Sequence, residues 1–272
     1  MSSKQQHPFH LVELSHWPIV TAFSLLVLAS GMILFMHNYP LGKEVLGAGV
    51  VAVVFCAFNW WSKIIDEGRV GHHHSDQVRH GLRIGMALFI LSEVMFFFAF
   101  FFSYFSVSLF PAGILDGVWV VAKGVWPPAG IKTFDPWDIP FINTLILLLS
   151  GTTVTWAHHA IMHNQQKDSI TALGITVLLG VSFTLLQAYE YHHAAFKFTD
   201  GVYAANFFMA TGFHGAHVII GTIFLTVCYF RARKGHFVAG QGHLGFEFAA
   251  WYWHFVDVVW LFLFTFVYVL GR

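Results

Sequence analysis

Hydrophobic positions in this chain neither alternate nor form one-sided stripes; they come as long unbroken blocks separated by short polar stretches. Seven blocks stand out, at residues 17–36, 46–65, 82–110, 140–163, 170–191, 202–230 and 246–270. Each supplies the roughly 20 apolar residues that a helix needs to cross a hydrocarbon layer ~30 Å thick. Inside that layer a peptide group finds no water, so a spanning segment must satisfy its own backbone, and an α-helix does so within one segment. The pattern predicts an all-α integral membrane protein with seven spans. No linker, low-complexity tract or internal repeat divides the blocks, so one membrane domain over residues 1–272 is the simplest organisation.

Composition agrees. Hydrophobic residues make up 57% of the chain and charged residues 10%, against roughly 25% charged in a soluble domain. Mean hydropathy is +0.64. The formal net charge is zero, so nothing points to a nucleic-acid partner, and the placement of charge carries the information instead. Of the 14 Lys and Arg residues, nine fall at the N-terminus and in the loops after the second, fourth and sixth blocks, and five fall on the other side. The positive-inside rule then puts the N-terminus in the cytoplasm or matrix and, after an odd number of spans, the C-terminus outside.

Three smaller features add detail. The first block begins late and has no small-residue cleavage site, so no cleavable signal is expected. The connection between the third and fourth blocks is the longest, and its Trp126-Pro127-Pro128 and Asp135-Pro136-Trp137 combine turn and interfacial chemistry. It reads as a packed outer loop or a partner contact. Cys56 and Cys228 stand alone in apolar runs with no metal-ligand spacing, and are expected to be small buried hydrophobes.

Ionisable groups at membrane depth are costly, so each is a functional candidate until a structural partner is found. Glu93 lies ten residues past Arg83, about 15 Å along a helix and near mid-bilayer. Its surroundings are almost wholly apolar, so it is either a tie to a facing helix or a proton-handling group. His254 and Asp257 are three apart and share one helix face, as do His214 and His217; both pairs read as buried structural polar groups. Trp156-Ala157-His158-His159 and Glu190-Tyr191-His192-His193 close their spans near the surfaces, where amphipathic side chains are ordinary. Eighteen histidines leave a haem or metal site open as a minority reading. The triplet His72-His73-His74 reads as a hydrated loop. At the inner rim, Trp60, Trp61, Lys63, Glu67, Arg79, Arg83, Arg231, Arg233, Lys234 and His236 form a belt suited to anionic lipid headgroups, or simply an ordinary positive-inside bias.

These same residues carry a resemblance. The strings Leu82-Arg83-Ile84-Gly85-Met86, Leu91-Ser92-Glu93-Val94-Met95-Phe96-Phe97, Thr155-Trp156-Ala157-His158-His159, Thr211-Gly212-Phe213-His214-Gly215-Ala216-His217 and Trp251-Tyr252-Trp253-His254-Phe255-Val256-Asp257 are long and specific. Over essentially 17–272 the chain resembles the third subunit of cytochrome c oxidase, the haem–copper terminal oxidase of respiration. The resemblance implies a seven-helix bundle split two plus five by a V-shaped cleft that holds ordered phospholipids. It implies no haem or copper in this chain, since those groups belong to the partner subunits I and II, of which subunit I is the main contact. Trp61, Glu67, His73, Arg83, Arg231 and His236 match lipid-contacting positions. Glu93 matches the family's buried glutamate, and His7 and His10 resemble histidines near a proton-uptake mouth. The assembled enzyme is expected to oxidise cytochrome c with dioxygen and pump protons, with this chain as an accessory subunit in a bacterial plasma membrane or, second, a mitochondrial inner membrane. The rival readings are a quinol-oxidase third subunit, a group that often lacks the first two spans, and an independent membrane haem protein or transporter.

Overall fold

Where the apolar blocks lie, the backbone is helical. The computed structural model describes residues 14–70, 75–111, 124–237 and 243–272. Among them are seven helices long and apolar enough to cross a membrane, and no strand: α1 (Trp17–Met36), α2 (Gly42–Val70), α3 (Asp76–Leu109), α4 (Ile139–Met162), α5 (Gln166–His192), α6 (Val202–Arg233) and α7 (Leu244–Leu263). α7 continues as a π-helical turn, Phe264–Val269. α1 coincides with its apolar block, and its Pro18 sits in the first turn, where the missing N–H costs no hydrogen bond. Pro140 plays the same part in α4. α4 is shifted by one residue from its block, and α2, α3, α5 and α6 run past theirs at one end or both, because polar termini in the headgroup layer keep the helical hydrogen-bond pattern while reaching water.

The chain gathers into two compact units, residues 1–82 and 83–272. In the first, α1 and α2 form an antiparallel hairpin whose turn uses left-handed backbone at Asn38 and Leu41. The helices approach at backbone distance: a Cβ on Gly49 would fall 2.6 Å from Cα of Leu28, and one on Gly31 would fall 2.5 Å from N of Leu46. Lipid tails are as apolar as the side chains, so close van der Waals packing rather than hydrophobic exclusion holds such helices together. Ser24 and Cys56 meet across the pair at 3.5 Å, and Cys56 is a buried free thiol as expected.

In the second unit the core is centred on α7, which packs against α4 and α6. Trp253 is its hub. The indole lies against Gly180 of α5 and Gly221 of α6, where a Cβ would come within 2.8 Å and 2.9 Å of the ring, and its Nε1 donates to Ser150 Oγ of α4 at 2.8 Å. Trp260 repeats the device two turns on, donating to Thr144 Oγ1 at 2.9 Å and packing edge-on against Phe183. Each indole thus fills volume and leaves no polar atom unsatisfied. The described part of the long loop packs on this core: Trp126 contacts Tyr104 and Tyr203, and Phe134 stacks on Phe207. Cys228 is buried and free.

Candidate functional site

Four small groups of side chains built around acids, imidazoles and Arg83 stand out within residues 83–272. In the first, Glu93 of α3 meets His217 of α6, with Oε2 2.7 Å from Nε2. His217 Nδ1 lies 2.6 Å from the Phe213 carbonyl oxygen. A carbonyl only accepts, so Nδ1 carries a proton and Nε2 is the atom that shares one with Glu93. The pair therefore holds one proton between its two partners and is neutral overall, whichever atom is nearer to it. Phe97 and Tyr252 flank the imidazole, which keeps water from competing. The sequence marked both residues but did not join them: 124 positions separate them, and only the packing of α3 on α6 shows the contact.

The second group is at the end of the bundle where α3 and α7 begin. Arg83 donates from Nε and Nη2 to the two carboxylate oxygens of Glu247, at 2.9 and 3.0 Å. This bidentate fork fixes the guanidinium plane. Nearby in sequence, Arg231 lies over the Phe237 ring, 4.7 Å from its centroid. In the other unit, Trp61 is exposed and Glu67 half-buried on α2. His236 is half-buried just after α6. His73, His7 and His10 lie outside the described residues.

The third group lies on α7. Asp257 is buried, with Oδ2 3.8 Å from His254 Nδ1, too long for a hydrogen bond, and Oδ1 has no partner among the described residues. His254 is half-exposed and instead meets Thr155 Oγ1 of α4 through Nε2, at 3.3 Å. His214, expected to be structural, is fully buried. Its Nε2 is 3.2 Å from the Val256 carbonyl, and its ring is wedged between Phe183 and Trp260.

The fourth group was not anticipated. Glu190, expected near a surface, is 1% exposed. Tyr268, from the π-helical turn, donates to Oε1 at 2.7 Å. Gln187 donates to the same oxygen at 3.5 Å and accepts from Asn143 at 3.4 Å. Aromatic and imidazole neighbours made Glu190 look interfacial. The available signal was the spacing of Phe183, Gln187 and Glu190, which puts all three on one helical face.

Among the described residues, no group of three or more His, Cys, Asp or Glu side chains is placed to hold a metal ion. Seven spanning helices joined through single polar contacts define the class: a multi-pass α-helical membrane protein built around side-chain ties between helices. A family model described as cytochrome c oxidase subunit III matches residues 7–272. A Rickettsia bellii protein named "Probable cytochrome c oxidase subunit 3" is 65% identical over 268 residues, covering 98% of this chain and 97% of its own. Proteins named "Cytochrome c oxidase subunit 3" from Prototheca wickerhamii and Arabidopsis thaliana are 51% and 49% identical, covering 98% and 100% of this chain and 99% of each relative. The chain belongs to the cytochrome c oxidase subunit III family, and so to an oxidase complex.

Proposed function

We propose that this chain is the accessory core subunit of a respiratory oxidase that passes electrons from cytochrome c to dioxygen and pumps protons. It holds no redox centre of its own and stabilises the catalytic subunit. The observation that carries this reading is the family match over 7–272. The polar geometry supports it: Glu93, Glu190, His214, His217 and His254 each meet another side chain or a backbone carbonyl, as a scaffold requires. The relatives' names and the presence of α1 and α2 favour a cytochrome c oxidase over a quinol oxidase. Identity to the Rickettsia relative, higher than to the algal and plant ones, supports a bacterial plasma membrane. The excess of Lys and Arg supports a cytoplasmic N-terminus.

Two finer roles complete the proposal. Trp61, Glu67, His73, Arg83, Arg231 and His236 bind phospholipid headgroups at the inner rim. Arg83 suits this because Glu247 already orients its guanidinium, which lowers the cost of fixing it on a phosphate. His7 and His10 collect protons for the catalytic subunit, since imidazole titrates near the working pH. Replacing both with Asn should slow turnover of the whole oxidase increasingly as pH rises. A wild-type pH–rate profile would remove the proton role. For lipid, Arg231→Gln oxidase should retain less anionic phospholipid through purification, measured by lipid mass spectrometry against the unmodified complex.

A further inference from the structure

The Glu190 carboxyl, in the last turn of α5, is enclosed together with every side chain that meets it: Asn143, Gln187 and Tyr268 are all buried. Phe207 of α6, Trp260 of α7 and Phe134 of the long loop surround the Tyr268 ring. Among the described residues no Lys, Arg or His forms an ion pair with Glu190. Arg272, four residues past Tyr268, pairs instead with Asp135 at 3.9 Å. The charged side chain whose field reaches Glu190 is that of Asp138, at the start of α4, and it is a second acid. The other titratable groups facing it are the phenols of Tyr268 and Tyr191.

The hydrogen bonds of this cluster fall one proton short. Glu190 Oε1 takes the Tyr268 hydroxyl at 2.7 Å and Gln187 Nε2 at 3.5 Å. With its nitrogen turned there, Gln187 presents Oε1 to Asn143, so Asn143 donates through Nδ2, at 3.4 Å. Two buried acceptors are left with no donor among the described residues, Glu190 Oε2 and Asn143 Oδ1. A water molecule would donate to them but would leave a full negative charge in a closed, largely aromatic site beside a second acid. A proton on Oε2 removes that charge and turns one of the two bare acceptors into a donor.

We propose that Glu190 is held as the neutral acid, with its proton on Oε2, and that it acts as a latch which opens when that proton is lost. In the closed state it ties α5 to the C-terminal π-helical turn through Tyr268 and, by way of Gln187, to Asn143 of α4. The carboxylate formed on opening has neither a countercharge nor bulk water beside it, so the turn Phe264–Val269 loosens from α5 to admit water.

The test is infrared spectroscopy of the native complex, purified through a tag on this chain, with E190Q and Y268F beside the unmodified protein. E190Q should remove one carboxylic-acid C=O band. Y268F should move the same band to higher frequency, because the acid's carbonyl oxygen loses a donor; this variant reports the proton even where E190Q fails to assemble. Raising the pH of the unmodified complex should bleach the band and, over the same range, lower the protection of the 264–269 amides against exchange. In E190Q, whose amide mimics the neutral acid, that protection should not change with pH. Loss of a carboxylate band in E190Q, with no acid band moved by Y268F, would show an ionised Glu190 and overturn the proposal. Bleaching without loss of protection, or the same loss in E190Q, would overturn the latch.

Discussion

Single residues separate a structural tie from a proton-active group. Because His217 Nδ1 donates to Phe213, its Nε2 needs a proton supplied from Glu93 or held in common with it. If the contact serves only as a tie, Glu93→Gln preserves it, since the amide N–H can donate to Nε2. Glu93→Leu instead leaves a buried imidazole nitrogen unsatisfied, at a cost of about 1–3 kcal/mol. The thermal midpoint for release of this chain from the purified oxidase should therefore fall for Leu and change little for Gln. An equal fall in both would mean that the carboxyl's charge matters. The same logic applies to Glu190: Tyr268→Phe removes the donor to Oε1 and should destabilise the C-terminal ends of α5 and α7 by about 1 kcal/mol, read as faster amide exchange there. Unchanged exchange would show that the bond is not formed in the membrane.

Elements were legible to different degrees, for physical reasons. α1 could be read to the residue because Pro18 starts it and the polar His37-Asn38 follows it. α2 and α3 outrun their apolar blocks because a helix does not stop where hydrocarbon stops, and hydropathy registers only the latter. The π-helical end of α7 had no sequence signal, since Phe264–Val269 is as apolar as the helix before it. Close approach of α1 and α2 was also hidden: Gly31 and Gly49 look like ordinary small residues until their neighbours are known. Gly49→Val should force these helices apart and cost about 1–3 kcal/mol. The expected outcome is earlier protease cleavage in the α1–α2 turn of the membrane-embedded oxidase. Wild-type resistance would mean that the helices are not packed at backbone distance.

For the whole molecule, the seven-helix membrane architecture and the family were readable from one sequence, because both rest on long local strings. The candidate site was readable only in part. Glu93, His217, His254 and Asp257 stood out because charge is conspicuous in an apolar run. Their partners did not, because contacts such as Glu93 with His217 and Arg83 with Glu247 join helices far apart in the chain. The account proposed is of a polytopic scaffold whose polar groups connect helices, within an oxidase whose electron chemistry occurs in neighbouring subunits. Its most direct test is the visible absorption spectrum of material purified through a tag on this chain, recorded before and after the chain is dissociated from its complex. The account predicts a haem spectrum before dissociation and none in the released chain. A Soret band that stays with the released chain, or a purified chain with no haem-bearing companion at all, would contradict it.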